Sequence, residues 1–62
     1  MIKLTNTTKG SEGTDLWIDF SSIVAIALYK EGMEDIATRI HMVSGVVFAC
    51  KETPEEIFRL VN

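Results

Sequence analysis

Few side chains in this chain could do chemistry: one histidine, one cysteine and nine carboxylates in 62 residues. His41 could act as a general base, the usual work of an imidazole in proton transfer. It stands between Ile40 and Met42, however, with no Ser, Cys or Asp motif around it to mark a triad. A structural or surface histidine is the expectation. Cys50 could be a nucleophile, yet it ends an apolar run beside Ala49, where a free cysteine behaves as a small buried hydrophobe. Asp15 and Asp19 flank Trp17, and two carboxylates about an aromatic ring could hold a sugar or a cation, or work as an acid/base pair. On one extended strand they stand ~13 Å apart, at about 3.3 Å per residue, which exceeds the separation used by paired-carboxylate glycosidases. A solvated face is expected there.

The remaining motifs are weaker still. Gly10-Ser11-Glu12-Gly13 is followed by no Lys-Ser/Thr and opens no helix, so it is not a phosphate loop. Ser21-Ser22 lacks the glycines of a nucleophile elbow. One cysteine and one histidine make no closed zinc site and no intrachain disulfide. The expectation is a protein that is not an enzyme, with no catalytic residue, no cofactor and no metal.

These side chains must be carried by a very small scaffold. A chain of this size forms one domain, residues 1–62, and buries only about 60% of the surface its unfolded form exposes. Small domains add disulfides, a metal or a partner chain; with the first two set aside, association remains. The composition agrees, with 47% apolar residues and a positive mean hydropathy. Six basic and nine acidic side chains leave a net charge of −3, and the basic ones (Lys3, Lys9, Lys30, Arg39, Lys51, Arg59) are scattered. A nucleic-acid binder normally concentrates them, so no nucleic-acid partner is expected. The longest apolar run, Ile23–Tyr29, is far short of the ~20 residues that span a bilayer. The start of the chain has no basic segment leading into an apolar stretch, as a secretory signal would. No membrane partner and a cytoplasmic location are expected.

Hydrophobic periodicity sets out five strands and a helix. Met1–Thr5 alternates and reads as a half-buried strand; polar Asn6–Thr14, with Gly10 and Gly13, reads as a turn or loop. Asp15–Phe20 alternates again, with Leu16, Ile18 and Phe20 on one face and Asp15, Trp17 and Asp19 on the other. After the Ser21-Ser22 bend, Ile23–Lys30 reads as a strand apolar on both faces, since about seven apolar residues between breakers is short for a helix. Glu31–Asp35 is an acidic loop around Gly32. Ile36–Val43 and Val46–Cys50 form a hairpin through Ser44-Gly45, a tight two-residue turn. With Val43 facing Val46, one face carries Ile40, Met42, Val47 and Ala49, and the other Arg39, His41, Val43, Val46 and Phe48. Thr53-Pro54-Glu55-Glu56 then starts a helix: Thr53 as N-cap, Pro54 at N1, and Glu56 closing a capping box. Ile57, Leu60 and Val61 share a helix face, with Phe58 flanking it. The fold class is small α+β: a mostly antiparallel sheet of about five short strands with one C-terminal helix.

The run Met1-Ile2-Lys3-Leu4-Thr5, then Trp17-Ile18-Asp19-Phe20-Ser21-Ser22-Ile23, then Arg39–Phe48 through Ser44-Gly45, then Lys51–Ile57 resembles the short flagellar FlbD-like proteins. Their pattern runs from an Ile-x-Leu-Thr opening through an Asn-x-x-x-Ile segment to a strand-Gly-strand hairpin and a Glu-Ser/Thr-x-x-Glu-Ile/Val helix start. Asp19 stands here in place of the usual Asn, and Ala25–Tyr29 with the Gly32 loop replaces an acidic strand and Pro-Asp turn. The resemblance implies the same hairpin-then-helix ending and supplies no catalytic residue to carry over.

Tryptophan is enriched at interface hot spots, and Trp17 lies on the polar face of its strand. Tyr29, Val43, Val46 and Phe48 also fall on faces that one small sheet and one helix cannot all cover. Trp17, Tyr29, His41, Val43, Val46 and Phe48 are the expected interface residues. The function expected is a non-enzymatic interaction or regulatory module, working as a homo-oligomer and binding another protein. The alternative is an inhibitor encoded by a phage or mobile element, which binds a host protein or sequesters a small signalling ligand where subunits meet.

Overall fold

The computed structural model describes the backbone of residues 1–31 and 35–61 and the side chains of residues 1–30 and 36–61. Of the expected acidic loop Glu31–Asp35, residues 32–34 lie outside the described residues, while Glu31 and Asp35 pair as the ends of β3 and β4. Five strands and one helix follow in chain order: β1 (Ile2–Thr5), β2 (Asp15–Ile18), β3 (Ile23–Glu31), β4 (Asp35–Met42), β5 (Val47–Cys50) and α1 (Pro54–Val61). A single 3-10 turn, Phe20–Ser22, links β2 to β3. The fold is α+β, and all strand pairs are antiparallel.

The strands form a two-stranded sheet, β1-β2, and a three-stranded sheet, β3-β4-β5. Beyond Thr5 the chain runs on beside β5: Asn6 bridges Cys50, the Thr7 N–H donates to the Ala49 carbonyl at 3.1 Å, and the Lys51 N–H donates to the Thr5 carbonyl at 3.0 Å. Glu52 clamps this junction with both carboxylate oxygens, accepting from the Thr5 N–H at 2.8 Å and the Thr5 hydroxyl at 2.9 Å. The spatial order is therefore β2-β1-β5-β4-β3, a bent ribbon. Its two flanks, β2 and β3, take no further strand among the described residues.

The core sits inside the bend. Alternation in β1 and β2 sends Ile2, Leu4, Leu16 and Ile18 inward, where they meet Ile40, Cys50 and Ile57. Helix α1 crosses β1 and β3 and delivers Ile57 into the centre, fully buried. The helix starts as its four-residue signal dictates. The Glu56 N–H donates to Thr53 Oγ1 at 3.2 Å, and the Thr53 N–H donates to Glu56 Oε1 at 3.3 Å, a reciprocal capping box. Only Ile57 of its apolar stripe is buried. Phe58 meets Phe20 edge to face at 6.0 Å, while Leu60 and Val61 remain exposed.

Two local readings are corrected. The β4–β5 hairpin pairs His41 with Val47, Ile40 with Phe48 and Arg39 with Ala49, one residue away from the register expected from a Ser44-Gly45 turn. The loop is three residues long: the Met42 N–H donates to the Val46 carbonyl at 2.9 Å, and the Gly45 N–H to the Met42 carbonyl at 2.9 Å. Gly45 takes the left-handed conformation, with φ +93°, as three-residue hairpin loops require at their last position. A one-residue slip exchanges the faces. Phe48 joins Ile40 on the inner side, Val47 and Ala49 join His41 on the outer side, Val43 falls in the loop, and Val46 closes it opposite Met42. The second correction is Asp19, which is not in a strand. It caps the 3-10 turn, accepting from the Ser21 N–H at 3.1 Å and the Ser21 hydroxyl at 2.8 Å, so it shares no strand face with Asp15.

Candidate functional site

Two surfaces outside the core merit description, both on the β3-β4-β5 sheet. The first is the outer face. Register places Arg39 between Ala27 and Ala49 across the strands, and His41 between Ala25 and Val47. Tyr29 lies two pairs along from Ala27 on the same face, diagonal to Arg39, and the guanidinium sits over its ring at 3.9 Å from the centroid. A cation stacked on an aromatic face is held by the ring quadrupole, and its edge donors stay free to face outward. The loop leaving β1 rises beside β5 as Thr7-Thr8-Lys9 and walls one side. Together these residues enclose an open recess of about 550 Å³, with Val47 and Ala49 as its apolar part; Phe48 also borders it, although its side chain packs against the core.

Electrostatically this recess is unlike the rest of the chain. The protein carries three more acidic than basic side chains, yet Lys9, Arg39 and His41 line the recess and, among the described residues, no carboxylate does. Arg39 and His41 are two residues apart on β4, about 6.6 Å along the strand, so both reach a single small ligand.

The second surface lies at the far end of the same sheet, on its inner side. Beyond Ile26–Ile40 the β3–β4 hairpin projects past the helix and past β1-β2. Leu28, opposite Thr38, is 57% exposed, and Ile36, opposite Lys30, is 63% exposed. At the opposite end of β3 a bulge between Ile23 and Ala25 leaves Val24 also 63% exposed. There an apolar groove of about 220 Å³ opens between β3 and the helix, lined by Phe20, Ile23, Ile26, Pro54 and Phe58. The free flank of β3 runs along this whole surface.

The six expected interface residues do not form one patch. Tyr29, His41 and Phe48 converge on the recess. Val43 and Val46 sit exposed at the β4–β5 turn, and Trp17 stands exposed on β2 opposite Lys3, on the other sheet. Arg39, Lys9, Leu28 and Ile36 were missed. For Arg39 the signal was present, as the partner of Tyr29 two residues along a shared face. For Lys9 there was none, because the loop's path is a tertiary matter.

Cys50 is placed where nucleophilic chemistry is poorly served. Its side chain is fully buried and its thiol donates to the Glu52 carbonyl at 3.6 Å. Burial first, and then the nearby Glu52 carboxylate, push the thiol up to about 11. A reactive cysteine needs the opposite shift. Asp19 is held below the usual carboxylate value by the hydrogen bonds from the Ser21 side chain and backbone, which identifies it as a cap. Among the described residues no three His, Cys, Asp or Glu side chains gather as a metal site would require. Among the described residues no helix is long and apolar enough to cross a membrane.

Compared with family models, curated proteins and solved structures, the chain matches none.

Proposed function

We propose that this protein is a non-catalytic binding module whose working form is an assembly of identical chains, joined through the free flank of β3. One observation carries the reading: among the described residues, eleven large apolar side chains are exposed, against seven apolar residues in the core. Single exposed apolar residues are ordinary. Here Leu28 and Ile36 lie together at the uncovered end of one hairpin, with Val24 towards its other end, all beside an unpaired strand edge.

Soluble proteins blunt such edges with charge, proline or bulges. β3 has a bulge at Val24 and a lysine at Lys30, but its central stretch, Ala25–Tyr29, has neither. An antiparallel pairing of β3 with a second β3 about a two-fold axis near Ala27 is self-complementary. It keeps both inner faces on the same side. Leu28 of each copy then lies beside Ile26 of the other, against the groove, and backbone donors and acceptors of both edges are satisfied. The sheet grows from three strands to six, within the common range.

Leu28→Glu and Ile36→Glu test this, because neither side chain is in the monomer's core. Sedimentation velocity of each variant is expected to give a folded monomer where the parent protein sediments as an assembly. Variants that sediment like the parent would overturn the β3 interface. An activity directed at a further protein partner fits a module of this kind, with Trp17 as an anchor left free by the β3 contact.

A further inference from the structure

We infer that the outer-face recess is a binding site for a small organic anion, one phosphate or carboxylate group carried on a flat apolar body. It lies within a single chain, so it goes beyond the assembly reading and does not depend on it. Four observations converge. The recess, about 550 Å³, has the size of a small-molecule site. Among the described residues its charged lining is cationic only, in a chain of net charge −3. Its cations come from separate parts of the fold, Lys9 from the loop after β1 and Arg39 from the middle of β4, yet they face one space beside the His41 imidazole. Finally, Tyr29 holds the Arg39 guanidinium from its flat side, which lowers the entropy lost when the fork closes on an anion.

The chemistry of the lining divides the ligand into two parts. Arg39 offers paired N–H donors that match a phosphate or carboxylate edge, Lys9 a mobile point charge, and Thr7 and Thr8 hydroxyls. Val47 and Ala49 offer apolar surface next to these donors, which suits a planar ring better than a bare inorganic ion. An acidic peptide would need a longer basic track than the recess provides. The exposed cations on the remaining surface are dispersed, so the preference is for a compact ligand.

The test is a ¹⁵N–¹H NMR titration of the intact protein with AMP, with adenosine, inorganic phosphate and benzoate in parallel. AMP is expected to shift the amides of Thr7, Thr8, Lys9, Arg39, His41 and Val47 saturably, and adenosine to bind about tenfold more weakly or not at all. Saturable shifts of the same amides by benzoate would assign the site to carboxylates as well. Phosphate alone is expected to bind more weakly than AMP, because it leaves the apolar part uncovered. Arg39→Gln and Lys9→Gln change exposed side chains. Arg39→Gln is expected to weaken AMP by about 10- to 100-fold, as loss of one charge-assisted pair does, with an unchanged melting temperature. Shifts that are absent, that scatter over the surface without saturating, or that persist undiminished in Arg39→Gln would overturn the inference.

Discussion

Strand β4 passes through two environments on the same side of one sheet. Its Thr38 and Ile40 are 1% and 0% exposed, whereas Ile36, one alternation earlier, is 63% exposed. Ile36 and Ile40 are chemically identical and point the same way. Their fates differ because β1-β2 and Ile57 of the helix cover only the half nearer the β4–β5 turn. Alternation along a strand decides the side on which a residue emerges. Whether anything lies over it is decided by elements far away in sequence, or by another chain.

The largest effect is expected in the covered half. Ile40→Ala deletes a side chain with no solvent contact, a loss of about 2–5 kcal/mol, against a total of only ~5 kcal/mol or somewhat more for a small domain. Circular dichroism should find this variant largely unfolded at room temperature; a melting curve close to that of the parent would break the comparison. Cys50 lies in the same covered half, and its raised pKa links stability to pH. The unfolded thiol gives up its proton near 9.0, the folded one only near 11. The folded state therefore binds the proton more tightly, so its contribution is complete below about 9 and is lost as pH rises towards 11. Urea melts at rising pH should show this decline in the parent and much less of it in Cys50→Ala.

Smaller changes sharpen the boundary between the halves. Thr53→Ala removes the cap that seats the helix over the core, an expected loss of about 1 kcal/mol, read from the midpoint of a urea melt. Ile36→Ala, in the bare half, should alter the stability of the isolated monomer by less than about 0.5 kcal/mol. If it costs as much as Ile40→Ala when measured on dissociated protein, the far half is covered within one chain.

The sequence made much of this scaffold legible. Five strands, the Thr53–Glu56 helix start and the inward set Ile2, Leu4, Leu16 and Ile18 follow from alternation and capping alone. The β4–β5 register did not, because Val43 reads as a strand residue when its β-branched side chain is considered by itself. Only the third loop position of Gly45, with its left-handed backbone, reveals that Val43 is in the turn. Asp19 likewise fits an alternating strand until its side chain is seen to compete for the Ser21 N–H. The recess was legible in part: Tyr29 and His41 came from facing patterns, but the Thr7–Lys9 wall depends on where the loop runs after β1. Leu60 and Val61 illustrate the remaining difficulty, since an amphipathic stripe on a short helix records a preference for cover that this chain does not itself satisfy.

The molar mass of the purified parent protein in solution, by light scattering behind size exclusion at micromolar concentration, bears most directly on the bare half. A mass at a whole multiple of the 6.9 kDa chain, twice or more, is the expected result. A single 6.9 kDa species would mean that the exposed side of β3 stands in water unaided, in contradiction to the assembly described here.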